Sequence, residues 1–270
     1  MPRGVGLNWL YDEARLQGRL WTPNLLRPEL YVDALADNVL DSSGFVTIPN
    51  LGSLGSSFSR GGITSTKRFI FPQNGLPCFH KDNADAFGYP LGISYSLQPA
   101  SGFSAYFFGA TALGQFMMNL SQFTLANSIL LAANNTSSST IGLFEGGWRS
   151  RSLSTQTSLD NRRVIMSQRK ASSSSPSFID TYLSDYRAAT VRQSIACNSF
   201  LASATTVGFL GHVNASAQTL CKCFAVLHFQ RMLSNYEDDL ILGWGAWQFS
   251  YQDLLPVTHP FATRPPLIGD

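Results

Sequence analysis

Apolar and polar positions alternate in short runs along most of this chain. Residues 30–34, 78–80, 103–110, 128–132, 141–144, 163–168, 177–183, 194–200, 206–211 and 222–229 read as strands, because β-branched and aromatic residues at period two suit a pleated surface. Gly-, Ser- and Asn-rich stretches separate them, most nearly pure at 134–139 and 171–177. Many short strands with turn residues between them predict an all-β sandwich. The period changes at the two ends. Ser234, followed three residues on by Glu237, forms a capping-box pattern that opens a helix. Leu240, Ile241, Trp244, Trp247 and Tyr251 then make one apolar helical face. Near the start, Trp9, Leu10, Ala14 and Leu16 among Asp12, Glu13 and Arg15 predict a short helix stopped near Gly18. Its apolar face is too small to hold the helix alone, so residues 1–20 are expected to be an arm that docks on a partner through Trp9, Leu10 and Leu16.

Composition narrows the class. With 270 residues, 44% hydrophobic and only 13% charged, the polar positions are filled by small uncharged residues. That suits surfaces that pack into an assembly or face glycans. A net charge of +2 provides no broad field for nucleic acid. The Arg162-Arg163 and Arg169-Lys170 pairs flank an apolar strand and read as soluble strand ends. The first residues make neither a secretory core nor a membrane span. Cys78, Cys197, Cys221 and Cys223 do not form a disulfide pattern, and alternation within a strand makes Cys221 and Cys223 buried thiols on one face.

The final forty residues carry a more specific likeness. Arg231-Met232-Leu233-Ser234-Asn235-Tyr236-Glu237 is followed by Trp244-Gly245-Ala246-Trp247, then Leu255-Pro256-Val257-Thr258-His259-Pro260, then Arg264-Pro265-Pro266. Upstream stand Trp21-Thr22-Pro23, Leu30-Tyr31-Val32-Asp33-Ala34, the loop Asn50-Leu51-Gly52-Ser53-Leu54-Gly55, and Asn74-Gly75-Leu76-Pro77. In this order the phrases resemble concanavalin A-like, LamG-type jelly-roll domains of bacteriophage and bacterial surface proteins. The resemblance covers residues 21–270 and implies a jelly-roll β-sandwich with a short C-terminal helix, preceded by the helical arm at 1–20. It also implies that His259 is a packed structural residue, that 164–169 and 178–180 form a central hairpin, and that 206–229 forms a strand pair. The family's Phe-Asp-Gly after Asn-Gly-Leu-Pro is replaced here by Phe79-His80-Lys81-Asp82-Asn83.

The sequence carries no catalytic pattern. Glycoside hydrolysis uses two carboxylates facing one sugar, whereas Glu13, Glu29, Glu145 and Glu237 are scattered; Asp180 and Asp185 are a distant alternative pair. Nucleophile elbows, phosphate loops and zinc-protease motifs are absent from the sequence. No enzyme is expected. Trp148 beside Arg149 and Arg151, after two glycines, can stack on a sugar or meet a neighbouring protein, or else plug the sandwich edge. Asp82, Asn83 and Asp85 carry oxygen donors of the kind calcium takes, but lack the spacing of a strong calcium loop and read more readily as an Asx-type turn; no other cofactor is implied.

The expected function is therefore that of a bacteriophage virion structural protein, oligomeric within the particle. It would be a decoration or peripheral head or tail component, made in the host cytoplasm, whose partners are other virion proteins. A receptor-binding adhesin recognising host surface glycan is the alternative, and a polysaccharide depolymerase stands below both.

Overall fold

In β16 (Lys222–Phe229) every residue after Lys222 is buried, so both faces of this strand are covered and the pattern is a continuous apolar run rather than an alternation. The computed structural model describes residues 18–36, 47–59, 66–70, 74–81, 91–94, 102–110, 115–120, 129–133, 140–145, 148–152, 163–172, 177–183, 193–195, 206–209 and 222–270. The predicted helix at 1–17, with Trp9, Leu10 and Leu16, lies outside them. So do Asp82, Asn83, Asp85, Asp185, Cys197 and Cys221.

Among the described residues the fold is mostly antiparallel β-sheet with one α-helix. The remaining strands are β1 (Leu30–Asp33), β2 (Thr47–Pro49), β3 (Ser57–Ser59), β4 (Thr66–Ile70), β5 (Pro77–Lys81), β6 (Leu91–Ser94), β7 (Phe103–Ala110) and β8 (Gln115–Leu120). They continue with β9 (Ile129–Ala133), β10 (Thr140–Glu145), β11 (Trp148–Ser152), β12 (Arg163–Lys170), β13 (Ser177–Leu183), β14 (Gln193–Ile195) and β15 (Thr206–Phe209). One eight-stranded sheet runs β14-β13-β12-β7-β16-β5-β4, with β1 also paired to β16; the other runs β11-β10-β9-β8-β15-β6-β3-β2.

Ten of these strands coincide with predicted ones, to within a few residues at their ends. One expectation fails. The predicted pair across 206–229 does not form, because β15 joins β6 and β8 in the second sheet while β16 joins β1, β5 and β7 in the first. Alternation identifies a strand but not its neighbour, and a register is chosen by the face it buries. The central hairpin does form, with Ser167 opposite Asp180.

The helix α1 (Asn235–Gln248) opens as the sequence predicts. The Ser234 hydroxyl accepts from the Glu237 amide, and the Glu237 carboxylate accepts from the Ser234 amide at 2.9 Å. Arg231 then grips the same carboxylate at 2.7 and 3.0 Å. The helix differs from prediction in two ways. It stops at Gln248, so Tyr251 lies beyond it, after Ser250 at φ 58°. And it is not amphipathic: every residue from Leu240 to Trp247 is buried.

Glycine explains the burial. Gly243 and Gly245 are two residues apart and face nearly opposite ways on a helix of 3.6 residues per turn. A Cβ at Gly245 would overlap the Phe108 ring on β7, and one at Gly243 would come within 2.7 Å of Phe261 in the tail. The sheet therefore closes over one side of the helix and the tail over the other. The Trp247 indole N–H donates to the Phe261 carbonyl at 2.8 Å, and Trp244 meets Tyr31, Phe108 and Phe249 edge-on. His259 packs here too, its Nδ1 accepting from the Phe261 amide at 3.2 Å. The tail ends against the start of the described chain: Leu20 bridges to Leu267, the Trp21 amide donates to the Pro266 carbonyl, and the Ile268 amide donates to that of Arg19.

Two asparagines from the sequence phrases prove to be joints. Asn50 accepts from the amides of Tyr31 and Gly52 and donates to the carbonyls of Glu29 and Gly55, so it uses its full amide capacity to tie the loop at 50–55 to β1. Asn74 accepts from the Leu76 amide and donates to the Phe249 carbonyl, fastening the turn before β5 to the end of the helix.

Candidate functional site

A cleft of about 430 Å³ opens where the start of the described chain, β1 and the end of α1 meet. Each contributor is there for a local reason. Pro23 begins a 3-10 turn (Pro23–Leu26), where its fixed φ is tolerated, and Trp21 before it is held by the tail at Pro266. Tyr31 and Asp33 are two apart on β1, hence on one face. Trp244 and Gln248 are one helical turn apart on α1.

The apolar part of the lining is Leu20, Trp21, Tyr31 and Trp244, the three aromatic residues nearly fully buried, with the Tyr31 and Trp244 rings at 5.9 Å and nearly perpendicular. The polar part is Thr22, Asn24, Asp33 and Gln248. Thr22 and Asn24 are exposed and Gln248 is half-buried, whereas Asp33 is buried. The Asp33 carboxylate accepts from the Tyr31 hydroxyl at 2.9 Å and from the Leu35 amide at 2.8 Å. Burial raises its pKa, and those two hydrogen bonds partly oppose the rise. The lining thus mixes apolar and polar groups in equal measure around one engaged carboxyl, with the aromatic rings nearly fully buried behind it.

A second polar cluster lies between the sheet and the helix. Tyr106, Ser167 and Asp180 stand abreast on β7, β12 and β13. The Tyr106 hydroxyl donates to Asp238 on α1 at 2.7 Å. Arg169, 1% exposed, pairs with the fully buried Asp238 at 3.3 Å and donates to the Leu233 carbonyl at 3.1 Å. Ser104 links the same turn, donating to the Arg231 carbonyl and accepting from the Leu233 amide. Burial first, then the Asp238 carboxylate, raises the Tyr106 pKa well above its ordinary value. Arg169 and Lys170, expected as soluble strand ends, are both buried, because β12 runs on to Lys170 beneath the turn at 231–234. The arrangement is a structural clasp, closed to solvent.

The sequence-derived site residues do not converge on the cleft, apart from Trp244. Trp148, Arg149 and Arg151 lie on β11, at the end of the second sheet's described strand order and paired with β10, with Phe144 opposite Trp148. Consecutive strand positions belong to opposite faces, so position 148 does not share a face with 149 and 151. Ser234 and Glu237 sit at the helix cap, and Trp247 and His259 are buried against the tail. Among the described residues no group of three His, Cys, Asp or Glu side chains could hold a metal. Cys78 and Cys223 are buried thiols outside any disulfide, and burial pushes the Cys78 thiol up to about 12. No helix among the described residues is long and apolar enough to cross a membrane.

No protein-family model matches this chain, and no curated protein matches it. Similar solved structures include the CBM40 of a Ruminococcus gnavus IT-sialidase bound to α2,3-sialyllactose, at 11% identity and a TM-score of 0.36, covering 56% of this chain and 90% of that one. Another is the receptor-binding domain of botulinum neurotoxin mosaic serotype C/D, at 10% identity and 0.44, covering 80% of this chain and 50% of that one. A third is a tail fiber protein from an E. coli phage, at 12% identity and 0.30, covering 50% of this chain and 16% of that one. The chain thus spans half or less of the second and third.

Proposed function

We propose that this chain is a non-catalytic virion protein of a bacteriophage: a concanavalin A-like, LamG-type jelly roll displayed on the particle as a decoration or peripheral head or tail component. The observation that carries the reading is the C-terminal clamp. The phrases that resemble phage surface domains are the residues that fasten the helix and tail to the sheet: Arg231, Ser234 and Glu237 at the cap, Trp244 and Trp247 in the core, His259 and Phe261 in the tail. Of the upstream phrases, Asn74 supplies the bond to Phe249 at the end of the helix, and Asn50 ties its own loop to β1. A motif set whose members contact one another supports the resemblance better than its spacing alone. Immunogold microscopy and mass spectrometry of purified particles test it. The protein is expected on intact particles in a fixed ratio to the major head or tail protein, and its absence from them would overturn the reading.

A second reading, a receptor-binding adhesin of the tail-fibre type, is favoured by the cleft. Its mixed lining, with Thr22 and Asn24 exposed, suits a host surface glycan, and many copies on one particle would raise avidity without tighter single contacts. Depolymerase activity has less support, since the usual pair of carboxylates would have to be built around Asp33, whose two oxygens are already engaged. Soluble protein added in excess should block adsorption of particles to host cells under this reading; unchanged adsorption leaves decoration as the function.

A further inference from the structure

We propose that the tail at 256–270 is an acid-released strap over α1, in which His259 exchanges a hold on the tail for a hold on the helix when it takes up a proton. The tail is built of turns and bends rather than helix or strand, so individual contacts fasten it. Phe261 is the centre of them. Its ring fills the space a Cβ at Gly243 would need, its carbonyl accepts from the Trp247 indole at 2.8 Å, and its amide donates to His259 Nδ1 at 3.2 Å. The His259 backbone closes the same turn, donating to the Pro256 carbonyl and accepting from the Ala262 amide. One residue of the tail is thus held through its amide by the histidine and through its carbonyl by the helix.

Accepting from an amide requires a bare Nδ1, so the proton of the neutral ring sits on Nε2, which faces the Asp239 carboxylate of α1 at 3.6 Å. In the imidazolium both nitrogens carry protons, and Nδ1–H would meet the Phe261 N–H donor against donor. The same proton gives the ring a full charge beside Asp239. It therefore weakens the bond to the tail and strengthens the attraction to the helix. The His259 side chain is 4% exposed, so water does not reach the stranded amide until Phe261 moves, and that movement takes its carbonyl from the Trp247 indole. The other charged groups here are committed elsewhere. Asp238 faces Tyr106 and Arg169 toward the sheet. Arg264 stands over the Phe261 ring, 5.5 Å from its centroid, and is paired with Asp270, with Tyr236 of the helix within its electrostatic reach.

The test is an NMR titration of the isotope-labelled full chain from about pH 7.5 to about pH 4.5, around the ordinary value of histidine. It follows the His259 ring and the Trp247 indole N–H. The indole signal should lose its hydrogen-bonded shift at the same midpoint as the His259 ring, while the signals of Phe107 and Val226 in the sheet stay native. Asp239→Asn should lower that midpoint by about 0.5–1 pH unit, a modest effect for an opposite charge because the Asp239 side chain is 26% exposed. His259→Asn, which sets a non-titrating acceptor near the Nδ1 position, should hold the indole signal constant throughout. His228→Phe should keep the transition, which separates the strap from any acid effect of the fully buried His228. An indole that does not move, one that moves only as the sheet signals are lost, or a midpoint that stays or rises in Asp239→Asn would overturn the proposal. A transition that persists in His259→Asn would overturn it too; should that variant not fold, the midpoints of the unaltered chain and of Asp239→Asn decide.

Discussion

The Tyr106 hydroxyl donates a 2.7 Å hydrogen bond to Asp238, joining the middle of β7 to the first turn of α1 across 132 residues of chain. The same carboxylate faces Arg169 at 3.3 Å, with both side chains out of water. A buried ion pair adds little net stability over an apolar replacement, but removing one partner strands the other charge. Asp238→Ala should therefore cost about 3–5 kcal/mol, and Tyr106→Phe about 1.5–3 kcal/mol. Denaturant unfolding of both variants and the double variant would check this. Additive costs would mean that the three groups do not act as a unit.

Gly245→Ala separates two effects of opposite sign. Helix propensity alone favours alanine by about 1 kcal/mol, yet the added methyl would overlap the Phe108 ring. Overpacking should win, with a net loss of about 1–3 kcal/mol. Shortening the neighbour in the double variant Gly245→Ala/Phe108→Leu should recover part of it, and thermal melts of the pair would show this. A stabilised single variant would mean that the helix rides farther from the sheet than described.

His228 gives the protein an acid limit. It is fully buried beside Phe103, and burial lowers its pKa from 6.5 to about 3. The unfolded chain binds a proton at this position below pH 6.5 while the folded one does not until about pH 3. Stability is thus complete above the unfolded value and falls as pH drops through that interval. The drop should become shallower in His228→Phe, measured as denaturation midpoints between pH 7 and pH 4 (roughly the span in which a histidine of ordinary pKa titrates).

The helix cap has a lower, separate acid limit. Hydrogen bonds from Arg231, and then from Ser234, bring Glu237 down from 4.5 to about 2, against a smaller opposing effect of burial. Its contribution is present above pH 4.5 and is lost as pH falls toward 2. Because the Arg231 side chain is nearly half exposed, the ion pair is screened and small. Ser234→Ala should cost about 1 kcal/mol at neutral pH through the lost cap, whereas Glu237→Gln should mainly remove the acid dependence below pH 4.5. Urea midpoints at pH 7 and pH 3 distinguish the two.

What could be read in the sequence was local. Ser234 and Glu237 are three residues apart, so their cap is written in one turn of chain, and long alternating runs such as 103–110 and 222–229 identify themselves. Short polar strands gave no signal: Trp148–Ser152 and Ser57–Ser59 become strands because neighbours pair with them. Burial all round α1 was hidden because its second cover, Phe261, comes from a tail with no periodicity. The cleft was hidden for the same reason. Trp21, Asp33 and Gln248 are brought together by pairing across most of the domain, and Trp21, Tyr31 and Trp244 read equally well as core.

The clasp between Arg19–Trp21 and Pro266–Ile268 has a mechanical consequence. The two short segments are antiparallel, so Gly18 and the turn that folds Asp270 back onto Arg264 and Leu267 flank the same end of the clasp. Tension that parts these flanks opens the clasp like a zipper, first at the Arg19–Ile268 hydrogen bond and then at Trp21–Pro266, instead of loading both bonds at once in shear. A tether on either flank would release this end at low force, and the cleft beside it would feel that release before the sheets do.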